Sequence, residues 1–369
     1  MKKNLSHTIK HVLLSFSIVV ISFSQVSGQV TESRKLTKGF KIDNSTIVDI
    51  GNKYGDINIE NWDNDSVKVE IYVQVTEKSR DKLRKKMSEI SFELTQSGHY
   101  IVINTLIGDT KNILFSEFNK LKETVGLGDS EVEINMKLKV PDNLDLRITN
   151  KFGNVYIDNY TGDVTLEMSN GKLKANDLTG YVNMKISFGD AIINSIDSGS
   201  LEVYYGKLIL TSGGKIRVTS KTSDITITEI NQLTVNSSRD TYRIRMIDDF
   251  QTESSWTDFT ITEFKHKSDV RMRYGDLSIE NIKNTFDNIY IDASSSKISL
   301  CLDKKTDVNF DITTDKDLSL PMNSKVDKKE QIDQAEKLIR YTGRTGDIKI
   351  DNPKLILKTS SGEITILKR

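Results

Sequence analysis

Between Thr149 and Leu302 one short phrase recurs: an aromatic or small residue, a glycine, an Asp, Asn or Lys, then apolar residues in alternation. Phe152-Gly153-Asn154-Val155-Tyr156-Ile157 is one copy. Phe188-Gly189-Asp190, Tyr205-Gly206-Lys207-Leu208 and Tyr274-Gly275-Asp276-Leu277-Ser278-Ile279 are others. Aligned on the glycine, Gly153, Gly171, Gly189, Gly206, Ser223, Asp240, Thr257, Gly275 and Ser296 follow one another at about 17 to 18 residues, the last step being nearer 21. A weaker half-step lies between them, as at Thr161-Gly162-Asp163, Thr179-Gly180-Tyr181 and Gly214-Lys215. Each repeat therefore has room for two strands of about five or six residues and two turns. That is too short for a helix pair, and no helical period runs through the block.

The alternation assigns faces, because successive strand side chains point to opposite sides. Leu208 and Leu210, Ile225 and Ile227, Tyr242 and Ile244, Leu277 and Ile279 belong to one set. Leu201 and Val203, Ile216 and Val218, Leu233 and Val235, Ile289 and Ile291 belong to the other. Two apolar half-faces per repeat bury each other if each repeat is one coil of a flattened parallel solenoid, stabilised by its neighbours. The expected fold class is all-β: a parallel β-solenoid, or β-helix, of roughly 18-residue two-strand coils, with a small α+β insertion near the N-terminal end. The Gly-Asp and Gly-Asn pairs suit corners where φ is positive, with the preceding aromatic stacked coil after coil. The Gly-Gly-x-Gly-x-Asp nonapeptides of calcium-binding solenoids are absent.

Lys plus Arg and Asp plus Glu both number 52, so the formal charge is zero. Nothing favours generic attraction to nucleic acid or an anionic membrane. The N-terminus reads as an address: Lys2, Lys3 and Lys10, an apolar core from Val12 to Phe23, then Val26-Ser27-Gly28. Residues 1–28 are expected to be a signal peptide cleaved between Gly28 and Gln29. Export then leads to the periplasm, the outer-membrane surface or the medium, with no transmembrane span in the mature chain. The single cysteine, Cys301, leans inward on the last coil of the block and can form no internal disulfide.

Residues 29–39 read as a flexible lead and 40–369 as the solenoid domain. Asn52-Lys53-Tyr54-Gly55-Asp56-Ile57 states the corner phrase early. Residues 76–141 then interrupt it as an insertion or cap, with a helix over 77–90, a hairpin turning at Ser97-Gly98, and a second helix or loop over Asn112 to Lys122. Lys325 to Ile339 is charged with helical character. Thr345-Gly346-Asp347-Ile348 and Ser361-Gly362-Glu363-Ile364 close the chain as two last copies.

The mature chain keeps His99 and His266, far apart in sequence, and neither has a cysteine partner for zinc or thiol chemistry. No nucleophile elbow and no phosphate-binding glycine loop occurs. The carboxylates Asp56, Asp190, Asp224, Asp276 and Asp347 sit at corners, where turn chemistry accounts for them. No catalytic residue, cofactor or metal ligand is assigned. Tyr156, Tyr204, Arg243, Arg245, Arg271, Arg273 and Tyr290 fall at outward positions, and exposed Tyr and Arg favour contact surfaces.

Asn52-Lys53-Tyr54-Gly55-Asp56-Ile57 followed by Trp62, the repeated Gly-Asp strands, and the ending Ser360-Ser361-Gly362-Glu363-Ile364 together resemble the bacterial putative-adhesin family. This is an exported β-strand-repeat domain of unknown function, common in Bacteroidota-like bacteria. The resemblance spans roughly residues 40 to 369 apart from the insertion. It implies an envelope-associated protein that meets a protein or glycan, and it supplies no catalytic residues. Three readings follow. One is a non-enzymatic exported solenoid presenting a strand face for adhesion or protein contact. Another is a periplasmic scaffold or envelope-stress sensor. The third is a carbohydrate-active β-helix enzyme with an outward acid cluster.

Overall fold

Each coil lies over the next in parallel register. Lys172 faces Asp190, Asp190 faces Lys207, Lys207 faces Asp224, and Asp224 faces Thr241, a step of 18 residues followed by steps of 17. The computed structural model describes residues 20–26 (backbone only), 28–43, 45–108, 131–316, 318–335, 337–346 and 353–369. Within it the chain is an all-β parallel solenoid. The strands Lys172–Ser187, Asp190–Tyr204, Lys207–Lys221, Asp224–Ser238, Thr241–Ser255 and Asp258–Arg273 each make most of one coil. Leu208 and Leu210 come from the first half of a coil and Ile216 and Val218 from the second, and all four are buried. Each such side chain contributes about 1.5–3 kcal/mol on burial, and it does so only because the coils above and below complete its surroundings.

The corner differs from the sequence expectation in one respect. The residue with positive φ is not the glycine but the one before it: Tyr54, Phe152, Asn170, Phe188, Tyr205, Thr222, Arg239, Trp256, Tyr274, Ser295 and Ser361. The glycine is required by close approach instead. A Cβ on Gly206 would lie 1.9 Å from the carbonyl oxygen of Gly189, the glycine one coil back. Where the corner residue has a side chain, it points inward, and the residue three positions earlier makes room. Gly171, Gly189, Gly206 and Gly275 are preceded by Met168, Ile186, Val203 and Met272. The buried Ser223, Asp240, Thr257 and Ser296 are preceded by Ser220, Ser237, Ser254 and Ala293. Volume is conserved along the stack, as close packing demands.

Both ends are covered. The first coil, Ile47–Lys53 and Ile57–Asn61, pairs with Asp145–Lys151 and Val155–Ile157. The chain between leaves the stack and returns. Tyr100–Ile107 extends the second face, with Ile90–Ser97 antiparallel outside it. Glu131–Val140 extends the first face, followed by Ser66–Glu77 and then Gln29–Lys41, both antiparallel. The helix Arg80–Glu89, capped by Ser79 accepting from the Lys82 N–H, buries Leu83 and Met87 against this end. Arg34 Nη2 donates to the Ile90 carbonyl at 3.1 Å and Lys38 Nζ to the Leu94 carbonyl at 2.6 Å, closing the outer edge of the hairpin.

Three expectations are corrected. Residues 29–39 are not a flexible lead. They lie in the strand Gln29–Lys41, paired along its length with Ser66–Glu77, because Arg34 and Lys38 satisfy carbonyls of the hairpin while Phe40 is buried. Lys325 to Ile339 is not helical. Ser324–Asp333 and Leu338–Thr345 form an antiparallel pair, in which Arg340 meets Asp311 at 2.6 Å and Glu330 at 3.7 Å, so its charges pair across strands. Cys301 is not inward. It alternates outward between buried Leu300 and Leu302 and is partly exposed. The final strands, Lys354–Ser360 and Glu363–Lys368, slide between the coil Asn288–Ser294, Lys297–Leu302 and the strands Asn309–Thr314 and Leu318–Ser319.

The backbone of Val20–Val26 pairs antiparallel with Gln29–Lys41. Cleavage after Gly28 would release that strand and leave Gln29–Lys41 held by Ser66–Glu77. The basic start of the address, residues 112–122 and residues 347–350 lie outside the described residues. No helix among the described residues is long and apolar enough to cross a membrane.

Candidate functional site

The positive-φ corner gathers large aromatic rings at one edge of the stack, all exposed except the half-buried Tyr54. Tyr54 stacks on Phe152 with centroids 5.5 Å apart, Phe188 on Tyr205 at 5.0 Å, and Trp256 on Tyr274 at 4.5 Å, each within 15° of parallel. Phe188 is 61% exposed and Trp256 57%. Stacking contributes about 0.5–1.5 kcal/mol per pair. A left-handed conformation in a residue other than Gly costs of order 1–3 kcal/mol. The exposed rings therefore do little for net stability. Asn170 separates the first pair from the second, and Thr222 and Arg239 separate the second from the third.

Beneath the second gap lies a buried polar cluster. Asp240 Oδ1 accepts the Ser223 N–H at 2.7 Å, and its Oδ2 accepts from the Ser220 hydroxyl at 2.7 Å and the Ser238 N–H at 3.1 Å. Ser220 also meets the Tyr242 hydroxyl at 2.6 Å. Burial pushes the Asp240 carboxyl up from its ordinary value, and these donors oppose the shift. The cluster is closed to solvent and locks the corner where glycine is missing.

The residues expected to form a contact surface fall on both faces. Tyr156, Arg243 and Arg245 point out from the first face. Arg243 meets Asp224 at 3.4 Å, and Arg245 meets Glu229 at 4.0 Å. Tyr204, Arg271, Arg273 and Tyr290 lie on the second face. The Tyr204 hydroxyl donates to Glu202 at 3.1 Å, and four coil steps separate Tyr204 from Arg273 in register. The structure brings Arg271 to Tyr290 and sets Arg271 and Arg273 along one cleft. Arg271 lies 5.9 Å from the Tyr290 ring centroid and pairs with Asp269 at 3.0 Å, and Lys358 approaches the same ring at 5.8 Å. Arg273 has no ion pair among the described residues.

A cleft of about 500 Å³ opens here, lined by Glu253, Ser254, Arg271, Arg273, Asp292 and Ser294 among others. Arg273 in its lining directly precedes Tyr274 in the chain, so the cleft ends one residue from the corner that carries the third aromatic pair. This juxtaposition was not read from the sequence. Its signal was present in the bulky residues that stand where the turn favours Gly or Asn.

The histidines do not share a site. His99 Nδ1 lies 2.6 Å from the Ser45 hydroxyl and 3.2 Å from Asp43. His266 sits between Asp249 at 2.6 Å and Asp287 at 2.9 Å, and its hydrogen bond to Asp249 raises its pKa above the ordinary value. Among the described residues no group of three or more His, Cys, Asp or Glu side chains is placed to hold a metal ion. The corner carboxylate Asp56 accepts from the Asn154 backbone N–H at 2.8 Å and from its side chain, which ties this corner to that of the next coil.

No protein-family model matches the chain, and no curated protein matches it. Solved structures similar to it include the following three. A putative adhesin from Parabacteroides distasonis is 10% identical over 72% of this chain and 97% of that one, with a TM-score of 0.34. A putative adhesin from Parabacteroides merdae is 10% identical over 72% of this chain and 95% of that one, with a TM-score of 0.35. A putative cell adhesion protein from Clostridium sporogenes is 9% identical over 90% of this chain and 99% of that one, with a TM-score of 0.18. The parallel solenoid itself is established by the coil register, independently of these likenesses.

Proposed function

We propose that this chain is a non-enzymatic, exported contact protein of the bacterial envelope, and that the aromatic edge of the solenoid is where it meets its protein or glycan partner. The observation that carries this reading is the set of six rings held in left-handed conformations at a solvent-facing edge. An edge kept only for turning would carry Gly or Asn. Exposed aromatic side chains are the residues that dominate contact energetics. The signal-like N-terminus supports export, and the covered ends support a stable free-standing module. The first experiment is protease shaving of intact cells carrying a tagged copy, with lysed cells as the control. Digestion on intact cells is expected. Digestion only after lysis would remove the adhesion reading and favour a periplasmic scaffold.

A further inference from the structure

Tyr274 ends the row of rings. Trp256 covers one of its faces at 4.5 Å, but the next two coils carry Ser295 and Ser361 at the ring position. Among the described residues no ring covers the far face of Tyr274, and that residue is 47% exposed. The cleft of about 500 Å³ starts one residue away, since Arg273 and Ser294 in its lining directly precede Tyr274 and Ser295, and its size suits one or two sugar rings. Its walls offer the unpaired Arg273 guanidinium as donor, the Glu253 and Asp292 carboxylates as acceptors, and the hydroxyls of Ser294 and Ser360. Ser254 Oγ at its floor is buried without a hydrogen-bond partner.

We propose that this corner is a binding site for an uncharged pyranose unit of a glycan chain. The apolar C–H face of a sugar ring stacks on Tyr274, its rim hydroxyls meet Arg273 and the Ser294 hydroxyl beside it, and a further unit reaches the Asp292 carboxylate along the cleft. The choice of an uncharged sugar follows from charge balance. Arg271 and Arg273 stand against Glu253 and Asp292 in the lining, and Arg271 is also paired to Asp269 at 3.0 Å. The cleft therefore has no net charge to select an ionic ligand. An apolar protein anchor is disfavoured because the walls beside the ring are charged and hydroxylated, and would be left unpaired beneath it. The open direction lets further sugar units run along the corner over Ser295 and Ser361.

This inference rests on the contact reading above and names its ligand class. The test is calorimetric titration of the mature chain with maltohexaose, cellohexaose and chitohexaose, and with a pentagalacturonate as the ionic arm. At least one neutral hexasaccharide is expected to bind. Tyr274→Asn keeps a residue that tolerates the left-handed backbone, and it should weaken binding by roughly tenfold or more. Arg273→Gln, at an exposed strand position, should weaken it severalfold and gives the same reading should Tyr274→Asn fail to fold. Arg243→Gln on the opposite face should leave it unchanged. The proposal is overturned if no neutral saccharide binds, if only the galacturonate binds, or if both cleft variants bind like the parent. Surface exposure in the shaving experiment together with an absence of saccharide binding would remove this site and leave the contact reading standing.

Discussion

Thr252 is fully buried in a column whose register neighbours are Val235 and Val270, and its hydroxyl has no partner among the described residues. A buried unpaired hydroxyl costs about 1–3 kcal/mol. Thr252→Val, nearly isosteric, is expected to raise stability by about 1–2 kcal/mol, read as a higher midpoint in urea unfolding; an unchanged or lower midpoint would show that the hydroxyl is satisfied. The corner separates two neighbours that look equally special in the sequence. Gly206→Ala forces a Cβ to 1.9 Å from a backbone carbonyl and should cost about 3 kcal/mol or more. Tyr205→Asn relieves a strained conformation while losing one stack, so its effect should stay within about 1 kcal/mol. Comparable losses in the two variants would mean that the ring, too, holds the corner together. His266 adds a pH-dependent tie. Its folded pKa is raised, so its contribution is fully present below the ordinary histidine value near 6.5 and fades as pH rises through the raised value. An NMR titration should place its midpoint above 6.5, and Asp249→Asn should bring it back down. A midpoint indifferent to Asp249→Asn would contradict the bridge.

The element most exposed to test is the helix Arg80–Glu89, which plugs the open end of the stack with Leu83 and Met87. Leu83→Ala should cost about 2–5 kcal/mol and promote association through the uncovered end, measured by thermal melting and light scattering together. A small loss without association would mean that another segment covers this end. This helix and the hairpin after it were legible because apolar residues at helical spacing give way to alternation around Ser97-Gly98. Gln29–Lys41 was not legible. Its polar residues carry no alternation, and its order comes from Arg34 and Lys38 reaching carbonyls of Ile90 and Leu94, more than fifty positions away. Ser324–Asp333 misled in the opposite direction. Its Lys, Glu and Gln favour helix, yet its acids Asp327 and Glu330 find Arg344 and Arg340 on the neighbouring strand. The corner was located correctly but assigned to the wrong residue, because a glycine repeat signals freedom of φ and close approach equally well, and only coordinates tell them apart.

At the scale of the whole molecule, the solenoid turns a local phrase into a long linear surface. Coils couple mainly to their neighbours, so residues distant in sequence fall into straight columns with the strand spacing as their period. The same arithmetic explains why the expected contact residues scattered. The two sets of the alternation already place Tyr156 and Tyr290 on different faces, but they do not tell which outward residues of different coils come within reach of one another. The arrangement in which aromatic pairs occupy one edge, with a cleft beside the last pair, is a property of the stack and of no single copy. The decisive measurement replaces Phe188, Tyr205, Trp256 and Tyr274 together by Asn, and then compares folding by circular dichroism with attachment of the protein to cells or immobilised glycans. A folded protein that melts within several degrees of the parent and no longer attaches is the expected outcome. Attachment that survives the replacement, or a chain that cannot fold without its rings, would mean that the aromatic edge serves the solenoid and not a partner.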